Sequence, residues 1–275
     1  MKAVSRGVQS IEVGGRLLSV IALAGRPLML RDIAHSADVT PAQAHAYLVS
    51  FRKIGLVEQD ATSGLYRVGP FGLQLGLARL RAVDALRLAS SAVAGLVEEI
   101  DLMVTVTVWG AFGPTIIQVL EGSRQVHVNL RAGAVYSLSG TATGRVFGAF
   151  LPKTTVQEHL AVERADMGGA QGERIGAEIG DAHFWDAVAG TRRFGYAAAE
   201  GSPIPGVNAI SAPVFDYTGQ MQLAVTVIGP ATAVDIRPSS VLTKRLAAFT
   251  ADLSAQLGYD LAATAASPTP IAAIT

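Results

Sequence analysis

The chain has 275 residues and no cysteine. That excludes disulfide bonds, thiolate zinc sites, iron–sulfur clusters and a cysteine nucleophile. Charged residues are scarce at 16% and aromatic residues at 6%, whereas 50% are hydrophobic. A chain of this composition folds around a large aliphatic core and is not disordered. Long apolar runs are missing as well. Glycine, proline or charge cuts each one well before the ~20 residues of a membrane span, and Met1 to Ser10 has no apolar signal core. The expectation is a cytoplasmic protein with no membrane partner.

Catalytic and metal-binding patterns are also lacking. His35, His45, His127, His159 and His183 are scattered, with no carboxylate at ligand spacing, so no metal is expected. The run Gly140-Thr-Ala-Thr-Gly144 is one residue short of a phosphate loop, and Arg145-Val146 stand where Lys and Ser or Thr are needed. Ser202 has no identifiable base and no Gly-x-Ser-x-Gly elbow occurs. No cofactor and no catalytic set is expected.

The length suggests two domains, and charge divides the chain in the same sense. Residues 1 to 87 hold eleven Arg or Lys against six Asp or Glu, and residues 88 to 275 hold eleven against sixteen, giving +5 and −5. A small basic module beside a larger acidic one suits a polyanion partner for the first; chance segregation of surface charge gives the same sums.

In the basic part, Ile11, Leu17, Leu18 and Ile21 set a helical stripe over Ser10 to Ala24, weakened by Gly14-Gly15, which cost about 2 kcal/mol against alanine. A second helix follows over Leu30 to Ala37. Thr40 then reads as an N-cap and Pro41 as the first residue of a third helix, with Ala44, Leu48 and Phe51 inward and Gly55 closing it. Leu56 to Gln59 and Leu65 to Val68 flank a turn-rich cluster, a hairpin. Three helices and a hairpin make a winged helix-turn-helix, which sets its third helix in a DNA major groove.

Phe71 to Ile100 reads as one long linker and dimer helix. Beyond it, Met103 to Trp109 alternates Val with Thr, and Thr115 to Leu120 and Val126 to Leu130 continue an antiparallel meander. Gly140 to Gly144 opens a helix over Arg145 to Leu151; further helices are expected over Thr155 to Arg164, Ala182 to Arg193 and Ser239 to Leu257, and strands over Asn208 to Phe215 and Gln222 to Ile228. Thr141 and Thr143, with the free N–H groups of a helix start, suit a carboxylate or other small anion; equally, one of them serves only as the cap.

Taken in order, Val8-Gln-Ser-Ile-Glu12, Leu30-Arg-Asp-Ile-Ala34, Ile54-Gly-Leu-Val57, Tyr66-Arg-Val-Gly-Pro70, Thr141-Ala-Thr-Gly-Arg145, Phe194-Gly-Tyr-Ala197 and Gly206-Val-Asn-Ala-Ile-Ser-Ala-Pro-Val-Phe-Asp216 resemble the IclR family of bacterial transcriptional regulators. The resemblance covers Val8 to about Leu257. It implies an α+β chain: a winged helix-turn-helix DNA-binding domain over 1–70, a linker helix over 71–100, a GAF-like α/β effector-binding domain over 101–261 and a flexible tail over 262–275. It also implies a homodimer or homotetramer that acts as repressor or activator on a double-stranded DNA operator and answers a small-molecule effector. The alternatives are an enzyme acting on a small carboxylate and a sensor that does not bind DNA.

DNA contacts are expected from Thr40, Gln43, His45, Tyr47, Ser50, Arg52, Lys53 and Arg67, with Gln43 able to pair bidentately with adenine and His45 and Tyr47 equally able to pack between helices. The family's recognition helix commonly carries a Ser-Thr pair and an Arg; here those positions are Ala42, Gln43 and Ala46, and Val13 replaces an Arg of the first helix. The effector site is expected at Thr141, Ala142, Thr143, Gly144, Glu200, Asn208, Ala209, Thr226 and Ile228. Relatives that bind small oxo-acids use acidic, Cys and Ser side chains where this chain has the stretch Ala198-Ala199-Glu200, Ala209, and Thr226 with Ile228. That exchange implies a larger, more apolar or aromatic acid.

Overall fold

Leu17 and Ile21, one turn apart, are buried on α1 (Gln9–Leu23) against Ile33 of α2 (Leu30–Ser36) and Ala44 and Leu48 of α3 (Pro41–Lys53). The structure is a computed structural model that describes residues 7–82, 84–124, 128, 130–165, 174–176 and 180–260. The chain divides into two units, Met1–Ala82 and Val83–Thr275. No described helix is long and apolar enough to cross a membrane.

In the first unit, the glycine pair that weakens α1 has a packing role at one position. A Cβ at Gly14 would lie 2.8 Å from the Phe51 ring, whereas one at Gly15 would meet nothing within 4 Å. Gly14 thus lets α1 approach α3 closely. Thr40 caps α3 by accepting from the Gln43 N–H, Pro41 occupies the first turn, and Gly55 follows the helix at φ +75°. β1 (Val57–Gln59) and β2 (Tyr66–Val68) pair antiparallel with Glu58 opposite Arg67, and Asp60 accepts the Thr62 and Ser63 N–H groups in the turn between them. α4 (Pro70–Ala82) completes the unit. This is the expected winged helix-turn-helix.

The single helix expected over 71–100 is interrupted. α5 begins afresh at Ala85 and runs to Ile100, and Asp84, with extended backbone, caps it by accepting the N–H groups of Leu86 and Arg87. An Asp at this position satisfies the donors that a continuing helix would have used.

The second unit then adds β3 (Met103–Gly110), β4 (Gly113–Leu120), β5 (Val135–Tyr136), α6 (Ala142–Phe150), α7 (Lys153–Ala165), β6 (Arg174–Ile175), α8 (Asp181–Phe194), β7 (Ala197–Ala199), β8 (Val207–Phe215), β9 (Met221–Pro230) and α9 (Val241–Gln256). The sheet order is β6-β5-β4-β3-β9-β8-β7. Its neighbours are antiparallel except β5 and β6.

Strand alternation gives the sheet two unlike faces. Val104, Val106, Ile210, Val225 and Val227 pack with Leu96 of α5 and Leu246 and Leu253 of α9. The opposite face meets Phe147 of α6 and Phe184 of α8 and carries a buried polar row, Thr105, Thr226 and Ser211, in register across β3, β9 and β8.

β5, β6 and β7 have two or three residues each and were not expected as strands. The strand expected over 126–130 falls largely outside the described residues; Val128 and Leu130 are not in a strand. α6 starts three residues before Arg145, and the tail over 262–275 lies outside the described residues.

Candidate functional site

On the first unit, Gln43, His45, Ser50, Arg52 and Lys53 are exposed along α3, and Thr40 is exposed at its cap. The hydroxyl of Ser50 donates back to Ala46 O at 3.2 Å. Tyr47 is half-buried, with its ring 6.3 Å from that of Phe51, so its body belongs to the helix packing. Two of the cations are engaged within the unit: Arg52 donates to Gln59 Oε1 at 2.8 Å, and Arg67 is paired with the Glu58 carboxylate directly across the hairpin.

On the second unit, a cavity with about 440 Å³ of empty space, counted out to its mouth, lies where α6 begins. Its polar end is Thr141, Thr143, Thr226 and Tyr136; its walls include Val128, Leu130, Ile175, Ile204, Val207 and Ile228. No charged side chain is among the described residues that line it. Burial raises the Tyr136 phenol above its ordinary range, so it stays neutral.

The helix start is built from both sides. Thr141 caps α6, accepting from the Gly144 N–H at 2.9 Å and donating to Ser137 O at 2.8 Å. Behind it, the buried Glu163 of α7 accepts from Ser137 Oγ and from the Leu138 N–H at 2.8 Å, holding the loop that enters the helix. The Arg145 N–H bonds to Thr141 O. The N–H groups of Ala142 and Thr143, first in the helix, have no acceptor within it and carry the positive end of its dipole.

The sequence-expected residues fall into two groups. Thr141, Ala142, Thr143, Ala209, Thr226 and Ile228 line the cavity together. Gly144, Glu200 and Asn208 do not line it. Gly144 is a packing position, because a Cβ there would sit 2.3 Å from the carbonyl oxygens of Ser137 and Leu138. Glu200 is exposed. Asn208 is buried, with Oδ1 accepting the Gly201 N–H and Nδ2 donating to Val234 O, both at 3.0 Å. Sequence reasoning missed Tyr136, Glu163 and the segment Ser202 to Ile204. Tyr136 and Ile175 sit in two-residue strands without periodicity, and a lone Glu on an amphipathic helix gives no sign of being buried.

No group of three or more His, Asp or Glu side chains that could hold a metal occurs among the described residues. His159 packs on Trp109 with ring centroids 4.5 Å apart, and His127 lies outside the described residues.

Known families match both units. Residues 10–61 match the IclR helix-turn-helix domain and residues 78–255 the bacterial transcriptional regulator IclR C-terminal domain. The chain belongs to the IclR family. It is 30% identical over 271 residues to the glycerol operon regulatory protein of Streptomyces griseus, covering 94% of this chain and 98% of that one. The crystal structure of Pseudomonas aeruginosa HmgR superposes with a TM-score of 0.81 at 33% identity, over 92% of this chain and all of that one. The repressor BlcR of Agobacterium tumefaciens, 23% identical, shares the fold with a TM-score of 0.74 over 93% of this chain and all of that one. This IclR-family protein is a DNA-binding transcriptional regulator and not an enzyme.

Proposed function

We propose that the cavity at the start of α6 is the effector site, and that the effector is an organic acid with an apolar or aromatic body. One observation carries this reading: Ala142 and Thr143, the first residues of α6, whose N–H groups have no acceptor within the helix, line a cavity together with the side chains of Thr141 and Thr226, and most of the remaining lining is apolar. The carboxylate sits on the Ala142 and Thr143 N–H groups, where the helix dipole favours an anion. The body fills the space between Ile228, Val207, Ile204 and Leu130. Regulation follows if the effector has unequal affinity for two arrangements of the protein that differ in their fit to the operator.

On the DNA side, Gln43 reads an adenine in the major groove, with His45 beside it, while Arg52, Lys53 and Arg67 hold the backbone. The reader is a homodimer in the cytoplasm. Phe71, Leu73, Leu75 and Leu77 expose 38%, 63%, 50% and 40% of their surface on α4, and a helix that apolar is covered by a second copy in solution.

Electrophoretic mobility shifts with DNA upstream of the protein's own gene test the first part, and mass spectrometry of a co-purified ligand tests the second. Gln43→Ala is expected to relax sequence preference in a binding selection at one position per half-site. Unchanged preference with uniformly weaker binding assigns Gln43 to the backbone instead.

A further inference from the structure

Two neighbouring residues of β1 hold two arginines in different ways. Glu58 meets Arg67 with a carboxylate, whereas Gln59 meets Arg52 of α3 with a neutral amide. Strand alternation puts Gln59 on the face of Val57, which is buried in the core shared with α3. Both halves of the Gln59 amide are used: Oε1 accepts from Arg52 Nη1 at 2.8 Å, and Nε2 donates to Gly64 O at 2.9 Å in the hairpin turn. The amide has one workable orientation. Turned over, it would set oxygen against the Gly64 carbonyl and N–H against the guanidinium.

The turn that Gln59 reaches is otherwise closed on itself. Asp60 Oδ1 accepts the Thr62 and Ser63 N–H groups, and the Gly64 N–H returns to Asp60 O. From Asp60 to Gly64 the sequence has no Lys or Arg, so the turn brings no cation of its own to DNA. We infer that Gln59 is a positioning residue for DNA binding: it fixes the Arg52 guanidinium beside the hairpin turn without neutralising it, and the same amide ties that turn to α3. The rest of the planar guanidinium fork is left for a phosphate. A carboxylate at this position would orient Arg52 but cancel its charge, and an aliphatic side chain would spare the charge but free the arginine. The amide does both. This inference rests on the phosphate role given to Arg52 above and adds what holds that arginine in place.

Fluorescence anisotropy on the full chain tests it, with a duplex that the wild-type protein selects from a random pool, between about 0.05 and 0.2 M salt. Arg52→Ala is expected to make the plot of log K against log salt shallower by about 0.9, one phosphate contact. Gln59→Glu is expected to do nearly the same, because the new ion pair takes the guanidinium out of use. Gln59→Ala is expected to keep the slope and weaken binding about two- to tenfold, the cost of ordering one long side chain on binding. With Arg52→Ala already in place, either change at Gln59 is expected to alter affinity by less than about twofold. A Gln59 that serves only the fold would lower affinity alike with and without Arg52 and leave the slope unmoved. That result overturns the inference while leaving Arg52 on the phosphate, whereas an unchanged slope in Arg52→Ala overturns both. Gln59→Glu, which keeps the side-chain length and the acceptor, carries the test if Gln59→Ala does not fold.

Discussion

Arg67 and Glu58 face each other across the hairpin of the first unit and form an ion pair between β1 and β2. The cation of strand β2 is thus partly neutralised before any DNA arrives. Glu58→Gln is expected to free Arg67 for a phosphate. It would raise operator affinity and steepen the plot of log K against log salt by about 0.9, one extra phosphate contact. Affinity measured from about 0.05 to 0.2 M salt checks this, and an unchanged slope keeps Arg67 away from the backbone.

Gly144 and Gly190 make a contrast within one unit. A Cβ at Gly144 would press on two carbonyl oxygens, whereas one at Gly190 in α8 would meet nothing within 4 Å. Gly144→Ala is expected to destabilise the second unit by at least about 1–3 kcal/mol through overpacking. Gly190→Ala is expected to stabilise it by about 0.5–1 kcal/mol through helix propensity. Chemical denaturation of the two variants gives the comparison.

Asn208 ties the segment at residue 201 to the turn at Val234. Asn208→Leu leaves a half-buried N–H and a buried carbonyl without partners, at a cost of about 2–4 kcal/mol. The melting temperature is expected to fall, and the segment 201–206 to become the first site of limited proteolysis. Cleavage elsewhere first would place the weak point outside the Asn208 contacts.

Asp84 decides where α5 starts. Asp84→Ala is expected to cost about 1 kcal/mol in the second unit, and Asp84→Asn, which keeps the capping oxygen, only a few tenths. Equal losses in urea denaturation would mean that the negative charge at the helix start, not the cap bond, supplies the stability.

Much of this fold is legible in the residues. The winged helix-turn-helix follows from helical spacing of Leu17, Ile21, Ile33, Ala44 and Leu48, from Thr40-Pro41 and from the turn-rich cluster between two strands. Those are local signals, each acting within a few residues. The break at Asp84 was also local, but the leucines on either side masked it: helical periodicity runs through a capping residue as easily as past it. The short strands β5, β6 and β7 left no pattern, because two or three residues are too few for alternation to show.

The cavity shows the same division. The sequence by itself determined that a helix opens near Thr141 and that β3 alternates Val with Thr. Tertiary structure alone decided that the Thr105 face of the sheet turns toward α6, that Thr143 and Thr226, 83 positions apart, share one hydrogen bond, and that Asn208 braces a loop instead of facing the cavity. The physical reason is that a strand pattern states which residues share a face but not what that face meets. A hydroxyl's role, likewise, depends on which acceptor the packed fold places within reach of its single proton.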